Sequence, residues 1–223
     1  MKSSKTPKAR RNPGELLVTF VLDETGSMVS CMGATISSVN EYLDGLQANK
    51  DTKEAKVTLT SFNSEGIKKR AAAEALSKVQ RLSTENYVPA ASTPLYDAIG
   101  QAIRETEAAI KASGKKPGKV LFVVQTDGYE NASKEYTQVQ VKQMIDAHKD
   151  EWTFVFLGAN MDAWAMAEKI GGLAFAQNAK SYAGTPIGTS SVMGAVLRCS
   201  TRYAASTGGP VTQDFFAGEE DKD

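Results

Sequence analysis

An apolar segment that ends abruptly in a polar turn constrains the fold of this chain more than any other feature. Residues 16–22 (Leu-Leu-Val-Thr-Phe-Val-Leu) are mostly aliphatic, β-branched or aromatic, and Asp23-Glu24-Thr25-Gly26-Ser27 follows them directly. A run of this length and composition, with a helical pattern immediately after the turn, predicts a buried β-strand that leads into a helix. Because ligands bind at the carboxyl ends of strands in open α/β sheets, Asp23, Thr25 and Ser27 are candidate binding residues.

The rest of the chain alternates between strand patterns and helix patterns. Strand patterns cover residues 16–22, 56–62, 67–71, 119–126, 152–157 and 173–176. Helix patterns cover residues 29–46, 72–79, 95–112, 137–149, 164–170 and 190–203. This alternation predicts an α/β fold: a Rossmann-like, doubly wound and mostly parallel central sheet with helices on both faces. The segment at 67–71 is expected to be one short antiparallel edge strand.

Composition indicates one domain between two polar ends. The chain has 223 residues, 41% of them hydrophobic, which is ample for a single core. Residues 1–14 are rich in Lys and Arg without apolar periodicity, and residues 207–223 end in an acidic run. We therefore expect a disordered basic arm at 1–14, a domain at 15–206, and a disordered acidic tail at 207–223.

Charge and cysteine content narrow the classes of partner. The formal net charge of +0 gives no reason to expect nucleic acid or an anionic membrane surface as a partner. No apolar segment approaches the roughly 18 residues of a membrane span. Cys31 and Cys199 fall in helical patterns and form neither a metal-binding pattern nor a disulfide framework. We therefore predict that both thiols are buried and reduced and that the protein is cytoplasmic.

A second acid follows the other strongly apolar strand. Asp127 comes directly after residues 119–126, and Thr93 lies in the loop that leads into the helix at 95–112. Since parallel strands present their carboxyl ends at one edge, two carboxylates and three hydroxyl groups should converge there. Oxygen donors without imidazole or thiolate suit Mg²⁺, Ca²⁺ or Mn²⁺. The sequence thus predicts a cation site whose oxygen cage is incomplete and open to an external ligand.

These residues resemble the metal-ion-dependent adhesion site of von Willebrand factor type A domains. That site has the pattern Asp-x-Ser-x-Ser, followed by a distant Thr and a distant Asp. The five positions are filled here by Asp23, Thr25, Ser27, Thr93 and Asp127. The resemblance covers about residues 16–203 and differs only in Thr25, where Ser is commoner. It implies that Thr25 and Ser27 bind the metal directly. Asp23 and Asp127 would act mostly through water or hydrogen bonds, and Thr93 directly or through water.

The same resemblance implies a function. A bound Mg²⁺, or Mn²⁺ or Ca²⁺, would take its last ligand from an Asp or Glu of a partner protein, so a binding domain rather than an enzyme is expected. Glu24, Tyr129 and Glu130 flank the predicted ligands and are expected to form an exposed rim that contacts this partner. Domains of this kind often serve intracellular complexes, some beside an ATPase of the AAA+ class, which makes such a complex a further candidate partner.

Two other interpretations of the motif remain open at the level of sequence. The first is structural: Asp and Ser are favoured at helix N-termini, so residues 23–27 could be only a cap. The second is a magnesium-dependent phosphoaspartyl hydrolase of the haloacid dehalogenase type, with Asp23 as nucleophile. Against the enzyme, Thr126 stands where the later magnesium motif of that family has Gly, and the paired second Asp is lacking.

Overall fold

The computed structural model of this chain describes residues 11–209, 211, 212 and 214–219. Its strands are β1 (Arg11–Asp23), β2 (Lys56–Asn63), β3 (Gly66–Ala75), β4 (Lys116–Thr126), β5 (Thr153–Ala159) and β6 (Ala179–Tyr182). Its α-helices are α1 (Met32–Ala48), α2 (Leu95–Ser113), α3 (Gln138–His148), α4 (Ala163–Gly171), α5 (Leu173–Ala176) and α6 (Pro186–Ala205). Short 3₁₀ helices span Gly26–Cys31 and Leu76–Lys78.

The strands form one sheet in the order β3-β2-β1-β4-β5-β6. Every neighbouring pair is parallel except β2 and β3, which pair antiparallel at the edge. This arrangement confirms the predicted fold class. The chain leaves β1 in one direction along the sheet and returns to its other side at β4, and ligands bind beside such a switch point in open sheets.

The central strand β1 supplies side chains to a hydrophobic core on each face of the sheet. Leu16, Val18, Phe20 and Leu22 pack towards α1 and α6. Leu17 and Val21 pack towards α2, α3 and α4. Each such side chain stabilises the fold by about 1.5–3 kcal/mol relative to an exposed position. Burial on both faces explains why β1 is an almost continuous apolar run and ends so sharply at its first acid.

The predicted secondary structure is wrong for two segments. Residues 72–79 are not a helix, because β3 continues to Ala75 along the ladder of β2 and only a 3₁₀ turn follows it. Pairing with β2 outweighs the helix propensity of the Ala-rich segment. Residues 173–176 form the helical turn α5 with Phe175 buried in the core, and the last strand is β6 instead. An apolar run of four residues does not distinguish strand from helix.

The boundaries of the expected arm and tail also change. Strand β1 already begins at Arg11, where it pairs with Lys116 of β4, so residues 11–14 belong to the sheet and not to an arm. Residues 1–10 and 220–223 lie outside the described residues. At the other end, the Phe215 side chain is buried and packs on the ring of Tyr203. The Arg198 side chain pairs with Glu219 at 2.5 Å. The C-terminal segment that these contacts hold is therefore docked on the domain.

The packing of this segment can be tested through Phe215. We expect Phe215→Leu to lower the free energy of unfolding by about 1 kcal/mol, because the smaller side chain leaves part of a buried site unfilled. Urea denaturation monitored by circular dichroism measures the change. The adjacent Phe216 is only half-buried, so Phe216→Leu should cost less. Equal stability of the wild type and both variants would show that the segment is not docked in solution.

The two cysteines are buried, unpaired thiols, as the sequence predicts. Burial raises the pKa of the Cys31 thiol and raises that of Cys199 to about 11. Both side chains are therefore protonated near neutral pH and are poor nucleophiles.

Among the residues that the structure describes, no helix is both long enough and apolar enough to cross a membrane.

Candidate metal centre

Three separate segments bring the predicted ligands to the carboxyl edge of the sheet, beside the switch point between β1 and β4. Asp23 is the last residue of β1, and the turn after it carries Thr25 and Ser27. The Ser27 hydroxyl donates to Oδ1 of Asp127, directly after β4, at 2.5 Å. The hydroxyl oxygens of Thr25 and Ser27 are 3.2 Å apart. Residues that are 100 positions apart in sequence thus share one small polar site.

Asp23 lies at the buried base of this site. Its Oδ1 accepts a hydrogen bond from the Thr25 amide at 2.7 Å, and its Oδ2 accepts one from the Thr126 hydroxyl at 2.5 Å. Burial raises the pKa of Asp23 to about 6 against the effect of these hydrogen bonds, and the nearby charge of Asp127 adds to the increase. A cation bound between the two carboxylates would instead favour their charged forms.

Thr93 is held at the site by Asn131. The Thr93 amide donates to Oδ1 of Asn131 at 2.8 Å, and the Asn131 amide donates to the Thr93 carbonyl at 3.0 Å. The Thr93 hydroxyl lies against Gly128, where an added Cβ would be only 2.8 Å from Oγ1. The loop after β4 therefore fixes the position of Thr93 as well as carrying Asp127.

Thr126 and Asn131 position residues of the site, and neither of them was identified as a site residue from the sequence. The Thr126 hydroxyl accepts from the Gly128 amide at 3.0 Å while it donates to Asp23, so it links the two acidic loops. Both residues lie in the same short polar stretch as Asp127, and this proximity in the sequence could have identified them. In the sequence, Thr126 counted only as a departure from the motif of another family.

The site has a closed side and an open side. Asp23, Thr25 and Thr93 are buried, whereas Asp127 is half-buried and Ser27 is exposed. No group of three or more His, Cys, Asp or Glu side chains in the described part of the chain could hold a metal by itself. A cation here would need the hydroxyl oxygens, and such an all-oxygen donor set fits a hard divalent ion with positions left for water or an external ligand.

A helix cap does not account for this turn. Thr25 is the N-cap residue of the 3₁₀ helix Gly26–Cys31 but makes no side-chain capping hydrogen bond. The Ser27 hydroxyl is directed to Asp127 instead of to a free amide of its own helix. The Ser27 hydroxyl thus joins this turn to the loop after β4, a contact that a helix cap does not explain.

The prediction that Glu24 is an exposed rim residue is wrong. Its carboxylate is fully buried, with Oε2 accepting from the Ser61 hydroxyl at 2.5 Å and from Arg70 at 2.7 Å. Its Oε1 accepts from the Val88 amide at 2.8 Å and from Lys68 at 3.0 Å. Burial raises the pKa of Glu24, but these hydrogen bonds outweigh it and leave the pKa below its usual value. Glu24 therefore ties the metal-site turn to β2, β3 and the loop at residue 88.

The other two expected rim residues behave differently from each other. The side chain of Tyr129 is 63% exposed, two positions after Asp127. Glu130 is half-buried, and its carboxylate accepts from the Tyr96 amide at 2.9 Å and from the Ser133 amide at 2.7 Å. Glu130 thus connects its own loop to the start of α2, and Tyr129 is the exposed residue among the three.

The close approach of Gly128 to Thr93 gives a direct probe of the site. We expect Gly128→Ala to displace the Thr93 hydroxyl and to weaken Mn²⁺ binding by about 10-fold, the lower range for a change in the outer shell of a metal site. Isothermal titration calorimetry measures the affinity. Gly66 at the start of β3 has nothing within 4 Å of an added Cβ, so Gly66→Ala is the matched control. Equal affinities of the two variants would exclude a role for Thr93.

Comparison with known proteins adds evidence on the fold. No protein-family model and no curated protein matches the chain by sequence. Proximal thread matrix protein 1 of the mussel byssus, solved with a zinc-occupied MIDAS motif, matches 85% of this chain and 46% of its own at 13% identity and a TM-score of 0.56. The pilus adhesin SpaC of Lactobacillus rhamnosus GG matches 87% of this chain and 31% of its own, at 14% identity and a TM-score of 0.63. The manganese-loaded TRAP protein of Plasmodium vivax matches 77% of this chain and 70% of its own, at 15% identity and a TM-score of 0.53.

These similarities define the class of fold. The chain has the fold of a von Willebrand factor type A domain, which confirms the resemblance seen in the sequence. It spans about half the length of the mussel protein and under a third of the pilus adhesin. Sequence identities of 13–15% show similarity of fold alone, so the function of this chain has to be argued from its own side chains.

Proposed function

We propose that this chain is a protein-binding domain that captures an Asp or Glu carboxylate of a partner through a divalent cation. The cation would be held by Asp23, Thr25, Ser27, Thr93 and Asp127. The observation that carries the proposal is the hydrogen bond between Ser27 and Asp127, which joins two strand-end loops on the solvent side of a buried carboxylate. A cation at this point would meet protein oxygens below and open space above.

The donor set favours an incoming carboxylate. Thr25 and Ser27 would bind the cation through neutral hydroxyl groups, and Asp23 would contribute charge from a position where hydrogen bonds already hold both of its oxygens. A cation with few directly bound carboxylates keeps much of its positive charge, so an external carboxylate is strongly attracted. Mg²⁺ is the proposed ion, with Mn²⁺ and Ca²⁺ as alternatives. The zinc and manganese named for two of the similar structures support a divalent cation.

Three exposed apolar side chains belong to the segments that carry the proposed capture point or contact them. Tyr129 follows Asp127, Val29 follows Ser27, and the Val88 amide is bonded to Glu24; all three side chains are more than half exposed. Tyr is enriched in the cores of protein interfaces, so Tyr129 supports a protein-binding surface most strongly. We therefore expect an apolar residue beside the acid of the partner. The names of the similar structures give no support to an AAA+ ATPase as that partner.

The hydrolase alternative finds no support in the geometry. A phosphoaspartyl enzyme needs its nucleophilic carboxylate to reach phosphorus. Here Asp23 is fully buried, and both of its oxygens accept hydrogen bonds within the site. An enzymatic activity is not part of the proposal. A cytoplasmic location and the absence of nucleic acid and membrane partners stay predictions from the sequence.

Carboxylate capture can be tested without knowing the partner, by using acetate as the probe. With Mn²⁺ bound to the wild type, the paramagnetic ion should accelerate relaxation of the carboxyl carbon of ¹³C-acetate well beyond that of the uncharged isostere acetamide. In Asp127→Ala the difference should fall to that given by the same total Mn²⁺ without protein. If bound Mn²⁺ relaxes acetate no more than acetamide, the site holds a metal without capturing carboxylates, and the proposal fails.

A further inference from the structure

A second concave site lies at the opposite edge of the sheet from the candidate metal centre. It is a cavity of about 440 Å³ between the last turns of α2 and α3 and the start of β4. This volume lies within the range of pockets that bind small molecules. Its apolar wall is formed by Ile110, Pro117, Val120 and Trp152. None of these residues takes part in the proposed capture of a carboxylate.

The apolar wall includes a flat aromatic stack. The rings of His148 and Trp152 lie 3.9 Å apart between centroids with an angle of 9° between their planes. His148 Nε2 is 2.8 Å from Oε1 of Glu107, so a hydrogen bond fixes the orientation of the imidazole. His148 of the stack and Ile110 of α2 both line the cavity, and Trp152 is buried behind them. A planar ring would therefore meet the imidazole and aliphatic surface there.

The polar groups that line the cavity leave an excess of positive charge. Its two acids are already paired, Glu107 with His148 and Arg104, and Glu151 with Lys116. Lys111 and Lys115 also line the cavity and are exposed, and neither forms an ion pair with another described residue. These two ammonium groups would attract an anion to the mouth of an apolar cavity.

From this combination we infer that the cavity binds a small aromatic anion, a planar ring that carries one carboxylate or similar group. The ring would lie against His148 and Ile110, which both line the cavity. The negative group would lie at the mouth, near Lys111 and Lys115. This site is independent of the metal centre, so its occupation should not require a divalent cation.

The chain contains one histidine, and this makes the experiment specific. We would titrate 1-naphthoate into the full chain at constant pH and follow the carbon-bound protons of His148 by NMR. A saturable shift of these resonances is expected. The uncharged analogue 1-naphthalenemethanol should bind about fivefold or more weakly, because it lacks the attraction of the two lysines.

Three variants locate the site. Ile110→Trp should fill the cavity and abolish the shift, whereas Ala108→Trp, at an exposed position of the same helix outside the cavity, should bind 1-naphthoate like the wild type. The double variant Lys111→Glu, Lys115→Glu should bind it about fivefold or more weakly. Mn²⁺ affinity, measured in parallel, should be unchanged in all three variants.

Three results would overturn the inference. These are the absence of a saturable shift in the wild type, equal binding of the acid and the alcohol, and undiminished binding by Ile110→Trp. Because the metal centre is at the other edge of the sheet, each of these results leaves the proposed carboxylate capture untouched. A failure of Mn²⁺ binding would in turn leave the cavity site standing.

Discussion

Asp127→Ala is expected to weaken Mn²⁺ binding by about 100-fold or more, since changes in the outer shell of a metal site alone typically cost 10- to 100-fold. Asp127 supplies one of the two carboxylates of the site and faces solvent more than Asp23 does. Its side chain accepts a hydrogen bond from the exposed Ser27. Removal of the carboxylate should therefore leave the fold intact, and isothermal titration calorimetry measures the lost affinity.

The control for this variant is a second acid of the surface. Asp146 lies on α3 and forms exposed ion pairs with Lys142 and Lys149, so Asp146→Ala should bind Mn²⁺ as the wild type does. Circular dichroism and urea denaturation should show that both variants are folded. Wild-type affinity in Asp127→Ala would mean that Mn²⁺ binds elsewhere, and the loops at residues 23 and 127 would have only a structural role.

Glu24→Ala is expected to lower the free energy of unfolding by about 3–5 kcal/mol, the usual cost of removing one partner of a buried ion pair. The carboxylate of Glu24 is fully buried, and the side chain of its partner Arg70 is only 11% exposed. Without Glu24 the guanidinium group of Arg70 would stay largely buried beside Ser61 with no compensating charge. Urea denaturation at neutral pH measures the difference, provided that the m-values agree.

Two further variants separate charge from packing. Glu24→Gln keeps an oxygen acceptor for the Val88 amide but removes the charge, so it should be destabilised less than Glu24→Ala. Asp44→Ala removes an ion pair with Arg81 in which the acid is 67% exposed, and this pair should contribute no more than about 1 kcal/mol. If Glu24→Ala costs no more than Asp44→Ala, the buried network does not stabilise the turn that carries the metal site.

The parts of the site that could be predicted from sequence are those that local patterns determine. Strands β1 and β4 are apolar runs that end in an acid, and parallel pairing places the ends of both at one edge. Asp23 and Asp127 could therefore be recognised as neighbours from the sequence. In the structure, the Thr126 hydroxyl donates a hydrogen bond to Asp23, which lies 103 positions earlier in the chain. The same reasoning brought Thr93 to this edge, since it precedes α2 in the loop that returns there.

The parts that could not be predicted depend on contacts between distant segments. Glu24 was expected to be exposed because isolated acids usually are, but Lys68 and Arg70 of β3 reach it from 44 and 46 residues away. Their orientation depends on the register between β2 and β3, which no short pattern specifies. Phe215 lies in a polar, acidic segment, and contacts with distant residues, such as the ring of Tyr203 and the Arg198–Glu219 pair, show that the segment is docked.

The most direct test of the metal centre is a crystal structure of the wild-type chain grown with Mn²⁺, with anomalous diffraction to locate the ion. The proposal predicts one anomalous peak at the carboxyl edge of the sheet, roughly 2.0–2.6 Å from the hydroxyl oxygens of Thr25 and Ser27, the range of oxygen ligands around hard divalent cations. A water or an external carboxylate should complete the coordination. A structure at millimolar Mn²⁺ without a peak between Ser27 and Asp127 would contradict the proposal.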